Sequence, residues 1–82
     1  MSPLFIYQTD SLPTAAYLTT QGFPYELVEE RPGHFSWRFE GGGPLKAAIA
    51  LDAAGEAVAN VKDFYATWVA LRKEMFARQG RP

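Results

Sequence analysis

The chain has 82 residues, 48% of them apolar, with two Trp, four Tyr, six Phe and no Cys. That length is enough for one domain, which buries roughly 60–65% of the surface its unfolded chain exposes, and without Cys neither a disulfide nor a thiolate zinc site can reinforce it. Eight Lys and Arg against nine Asp and Glu give a net charge of −1, unlike a dedicated nucleic-acid neutraliser, and the apolar content excludes intrinsic disorder.

Leu4 to Gln8 reads as a short strand, apolar on both faces, internal to a sheet or with one face covered by a partner. Thr9, Asp10 and Ser11 then offer helix N-cap oxygens, and Pro13 falls in the first helical turn, where its missing N–H costs nothing. The helix runs to about Gln21, with Leu12, Ala15, Ala16 and Leu18 toward the core. Gly22 is suited to the left-handed stop, followed by Phe23 to pack back on Leu18.

Tyr25 to Arg31 and His34 to Glu40 read as a hairpin, joined by the turn signal Arg31-Pro32-Gly33-His34. In its second arm Phe35, Trp37 and Phe39 alternate with Ser36, Arg38 and Glu40, one apolar face and one wet face. The first arm is rich in Glu, which suits a sheet edge. Hairpin register is open at this level, because a one-residue slip exchanges the faces.

Gly41-Gly42-Gly43-Pro44 reads as a flexible loop, and Leu45 to Ala54 as an alanine-rich helix ended by Gly55. Asn60 is positioned to cap a last helix over Val61 to Arg78. There Val61, Phe64, Trp68, Leu71 and Met75 recur at alternating spacings of three and four, widened by Tyr65, Val69 and Phe76. The order strand–helix–strand–strand–helix–helix predicts an α+β fold: a three-stranded antiparallel or mixed sheet, third strand central, with helices on one face. It forms a single domain over residues 1–82 with a frayed tail from about residue 79.

Charge is unevenly placed. Residues 1–61 hold three cations (Arg31, Arg38, Lys46) against seven acids, whereas residues 62–82 hold five cations (Lys62, Arg72, Lys73, Arg78, Arg81) against Asp63 and Glu74. A solvated helix face and polar tail account for this without further function. No apolar run approaches the roughly 20 residues that cross a bilayer, and the opening residues lack a charged stretch followed by an apolar one. The expectation is a cytoplasmic protein without a membrane partner, and the lack of Cys is in keeping with a reducing compartment.

Groups for chemistry are few. His34 is the one histidine and falls in a turn, so neither a metal set nor a Ser–His pair is recognisable. The glycine triplet before Lys46 could cradle a phosphate at a helix N-terminus, but it lacks the P-loop and dinucleotide spacings. Glu26, Glu29, Glu30 and Glu40 could gather beside the hairpin, yet show no ligand spacing, and a solvated edge explains them. The expectation is therefore no catalytic residue, no metal, no cofactor and no small-molecule substrate.

Two binding readings survive. In the first, the surplus of the last helix (Tyr65, Val69, Arg72 and Phe76) meets another protein or a second copy of the chain. Phe35, Trp37 and Phe39 are core if the hairpin register turns them to the helices; in the second reading they face outward, and an accessory module binds nucleic acid through Arg31, Arg38, Trp37, Arg72, Lys73 and Arg78.

Tyr7-Gln8-Thr9-Asp10, then Ala15-Ala16-Tyr17-Leu18, then Gln21-Gly22-Phe23 form an opening that resembles a small uncharacterised domain family of bacterial, archaeal and phage genomes. In that family a strand ending in Thr-Asp leads to an Ala-Ala-x-Leu helix and a Gly stop. Phe35 to Phe39 and Val61 to Met75 sit where its later elements would, so the resemblance covers most of the chain through capping and packing residues. It implies the fold and a phage or mobile-element setting, and no activity or site residue. The sequence thus points to a small non-catalytic interaction protein.

Overall fold

Alternation of aromatic and polar side chains makes His34–Gly41 a strand with two unlike faces, and it takes the centre of the sheet. The computed structural model describes residues 5–79, so Leu4 of the predicted first strand and the tail beyond 79 lie outside the described residues. In chain order the elements are β1 (Phe5–Thr9), α1 (Leu12–Thr20), β2 (Tyr25–Arg31), β3 (His34–Gly41), α2 (Gly43–Ala53) and α3 (Val61–Gln79). The fold is α+β, with strand order β1-β3-β2 and both outer strands antiparallel to β3.

Register decides which residues share a face. Tyr7 and Tyr25 both lie opposite Phe39, and Thr9 and Leu27 opposite Trp37, so these join the aromatic row of β3 on one face. Phe35, Trp37 and Phe39 are buried there, with Tyr25 tilted against Phe39 at a ring separation of 6.3 Å. The other face carries Ile6, Gln8, Glu26, Val28, Ser36, Arg38 and Glu40, and is open.

The helices close the aromatic face. Ser11 caps α1 by accepting from the Thr14 N–H, and Pro13 stands in the first turn. Ala15, Ala16, Tyr17 and Leu18 are all buried, because α1 has neighbours on several sides: the sheet, α2 and α3. Alanines at two of these positions let the backbones approach closely. The helix stops where predicted: Gly22 takes φ +95° and the Phe23 N–H reaches back to the Leu18 carbonyl at 3.2 Å.

β1 is an edge strand, as a central third strand requires, so the internal alternative for its doubly apolar run falls: Ile6 on its open face is 51% exposed with no described element over it. Two further expectations are revised. The glycine triplet is an ordered join rather than a flexible loop: Gly41 ends β3, Gly42 precedes α2 and Gly43 begins it. Val61 does not belong to the core stripe of α3, since it is 82% exposed at the first turn.

The join needs glycine at one position. A Cβ on Gly41 would lie 3.0 Å from Leu45 Cβ and 3.3 Å from Leu45 Cδ2, and Leu45 is fully buried. Gly41→Ala therefore makes the buried Leu45 side chain give by a few tenths of an ångström, with an expected loss of about 1–3 kcal/mol in urea unfolding. Gly43→Ala, whose Cβ meets nothing within 4 Å, serves as the control and should unfold at or above the wild-type midpoint. Equal midpoints for the two variants would show that the close approach at Gly41 is not limiting.

Candidate functional site

The last helix carries the feature that folding leaves unexplained. Asn60 starts it: its Oδ1 accepts from the Asp63 N–H at 3.0 Å. Phe64, Trp68, Leu71 and Met75 then follow at spacings of four, three and four, and pack on the core. Phe64 and Trp68 meet edge to face at 5.7 Å, and Leu71 is fully enclosed. The helix is tied to the sheet where the Tyr25 hydroxyl donates to Glu74 Oε1. Burial, then that hydrogen bond and the Glu74 charge, push the Tyr25 pKa up from 10.0 to about 12.

A second stripe runs along the outside of the same helix. Tyr65 is 69% exposed and Phe76 49% exposed, in line with exposed Val61 and partly exposed Val69. The Arg72 guanidinium lies 5.3 Å from the centre of the Phe76 ring, within cation–π range. These positions fall on one face because residues three or four apart stack along a helix. Lys62 and Lys73 flank the stripe, while Asp63 and Glu74 are turned about 160° and about 180° from Tyr65 at 100° per residue. The predicted set Tyr65, Val69, Arg72 and Phe76 is thus assembled on one surface. Val61 and Lys62 extend it, and the four-residue step back from Tyr65 was the signal for Val61.

The open face of the sheet is different in kind. Gln8 Nε2 donates to Glu30 Oε2 at 2.7 Å and to Ser36 Oγ at 2.8 Å, which satisfies the buried Ser36 hydroxyl. Arg38 bridges Glu26 at 3.1 Å and Glu40 at 3.0 Å. His34 Nε2 stands 3.8 Å from both Asp10 and Glu30, at the edge of ion-pair range if protonated. A depression of about 420 Å³ lined by Gln8, Thr9, Asp10, Glu30 and Ser36 lies here, shallow and polar. Sequence reading missed Gln8, because only the β1–β3 register brings it beside Ser36.

The predicted nucleic-acid residues are not gathered. Trp37 is corrected from a stacking platform to a core residue: it is 2% exposed, because its side chain points to the helices. Arg38 is held between two carboxylates, and Arg31 lies at the far end of β2. Arg72, Lys73 and Arg78 point to different sides of α3. The four glutamates also divide: Glu26 and Glu40 share Arg38, Glu30 accepts from Gln8, and Glu29 accepts from the Gly33 N–H.

Among the described residues, no group of three or more His, Asp or Glu is placed to hold a metal ion. No helix there is long and apolar enough to cross a membrane. In comparisons with protein-family models, curated proteins and solved structures, the chain matched none.

The Tyr25–Glu74 link gives a pH-dependent test of how α3 is seated. The unfolded chain ionises Tyr25 near 10 and the folded one near 12, so the link contributes fully below pH 10 and fades as pH rises through that window. Tyr25→Phe should cost about 1 kcal/mol at pH 8 and flatten the fall in stability between about pH 10 and 12. Urea midpoints at pH 8 and pH 11 measure both; parallel losses in wild type and variant would show that the link does not hold the helix.

Proposed function

We propose that this chain is a small non-catalytic interaction protein that works by binding another protein, or a second copy of itself, through the outer face of α3. The observation that carries this is the alignment of Val61, Tyr65 and Phe76 in the open while the core is already closed by Phe64, Trp68, Leu71 and Met75. Scattered exposed apolar residues are ordinary on a folded surface. An aligned row with a cation–π pair inside it is the composition of an interface core. The open sheet face supports the non-catalytic part of the reading. Its groups satisfy one another: Ser36 Oγ accepts from Gln8 Nε2, and among the described residues no base accepts from the Ser36 hydroxyl. The phage or mobile-element setting rests on the sequence resemblance alone.

Residues kept for a partner are dispensable to the fold, and that separates them from core residues. Tyr65→Ser and Phe76→Ser should each leave stability within about 0.5–1 kcal/mol of wild type. Phe39→Ala should cost about 3–5 kcal/mol. Chemical denaturation of the three variants decides: core-sized losses at Tyr65 and Phe76 would make the outer stripe part of the fold and end the proposal. Sedimentation equilibrium over a concentration range then distinguishes self-association, which both Ser variants should weaken, from a monomer that reserves the face for another protein.

A further inference from the structure

We infer that the outer face of α3 takes an acidic amphipathic helix of another protein, which sets apolar side chains against Val61, Tyr65 and Phe76 and carboxylates against Lys62, Arg72 and Lys73. This rests on the reading of α3 as an interaction surface and adds the chemistry of the partner.

Charge selects the occupant. The stripe and its flank hold Lys62, Arg72 and Lys73 and no acid, since Asp63 and Glu74 stand on the other side of the helix. Among the described residues, none of the four cations of α3 is in an ion pair; the pairs present all belong to Arg38 and His34 on the sheet. A partner with carboxylates beside its apolar row would therefore find cations that no internal acid already holds.

The same pattern disfavours a second copy. A two-fold contact places the patch against a copy of itself, and neither copy then brings an acid from this face to meet Lys62, Arg72 or Lys73. Nucleic acid fits less well, because a phosphate backbone leaves Val61, Val69 and Phe76 uncovered and the rest of the chain is acidic. An anionic bilayer meets that same acidic body.

Shape points to a helix. The row from Val61 to Phe76 spans roughly 22 Å at 1.5 Å per residue, the length of about four helical turns. Its spacing of three and four residues matches anchors on a facing helix.

Two synthetic helical peptides of about 18 residues, with the same leucine row and flanks of either Glu or Lys, test the inference on the full chain. Fluorescence anisotropy of the labelled peptides reads binding. The Glu peptide should bind at least about tenfold more tightly than the Lys peptide, and added salt should narrow the gap. Tyr65→Ser should weaken the Glu peptide by about tenfold or more, and the exposed double change Lys62→Glu/Lys73→Glu should reverse the preference between peptides. Equal binding of both peptides, no binding of either at about 1 mM, or a preference untouched by the charge reversal would overturn the inference. So would a dimer whose dissociation by Tyr65→Ser shows a second copy to be the occupant. Anionic vesicles or a single-stranded oligonucleotide bound through Tyr65 more tightly than the Glu peptide would overturn it as well. Peptide failure with Tyr65→Ser and Phe76→Ser still as stable as wild type rejects the partner chemistry and leaves the surface. Core-sized destabilisation by those variants rejects both.

Discussion

Three aromatic side chains on one face of the central strand set the terms on which every other element packs. Phe35, Trp37 and Phe39 leave almost no surface to water, so something must lie over the whole row. In a chain this short the cover comes from all three helices: Ala15, Ala16 and Leu18 of α1, Leu45 of α2 and Leu71 of α3. The closure is strong enough to tolerate a polar defect. The Trp37 indole N–H is buried without a protein acceptor, a cost of about 1–3 kcal/mol. Burying the indole itself contributes about 4–6 kcal/mol at the usual apolar coefficient, so burial wins.

The same alternation that builds the core creates the opposite face. Placing Phe35, Trp37 and Phe39 inward sends Ser36, Arg38 and Glu40 outward, where they meet Gln8 from β1 and Glu26 from β2. Each finds a partner on the sheet. The Arg38 pairs are exposed enough to add only about 0–1 kcal/mol. Their effect is on character: the polar groups of the sheet face are engaged with one another, with two carboxylates sharing the one Arg38 guanidinium. The outer face of α3 is the reverse, apolar in the middle and cationic at the side, with Arg72 against the Phe76 ring and, among the described residues, in no ion pair. Two surfaces of one small fold thus differ in whether their needs are met internally.

Local signals were legible where one element's own chemistry suffices. The Ser11 cap, Pro13, the Gly22 stop, the Pro32-Gly33 turn and the Asn60 cap each act over three or four residues, and each appears where the sequence placed it. The central position of β3 also followed, from a tight hairpin and an aromatic face that needs cover. Less was legible about β1, Gly41 and Val61. Four apolar residues in a row say nothing of whether a strand stands at an edge. The value of Gly41 depends on how closely Leu45 comes back over the sheet. Val61 matches the apolar period of α3, but the helix begins there, beyond the reach of the core.

The amino-acid sequence by itself determined the elements, their caps and turns, the α+β class and the apolar surplus of the last helix, since these follow from periods of two and 3.6 and from residues with special backbone demands. Only the tertiary structure decided which way the aromatic row faces and which residues are surplus. Both depend on register and on how far a helix overhangs its sheet, contacts between residues distant in the chain that no local pattern encodes. Trp37, open between core and platform, is core on that ground, and Val61 moves from the core stripe to the open surface beside Tyr65 and Phe76.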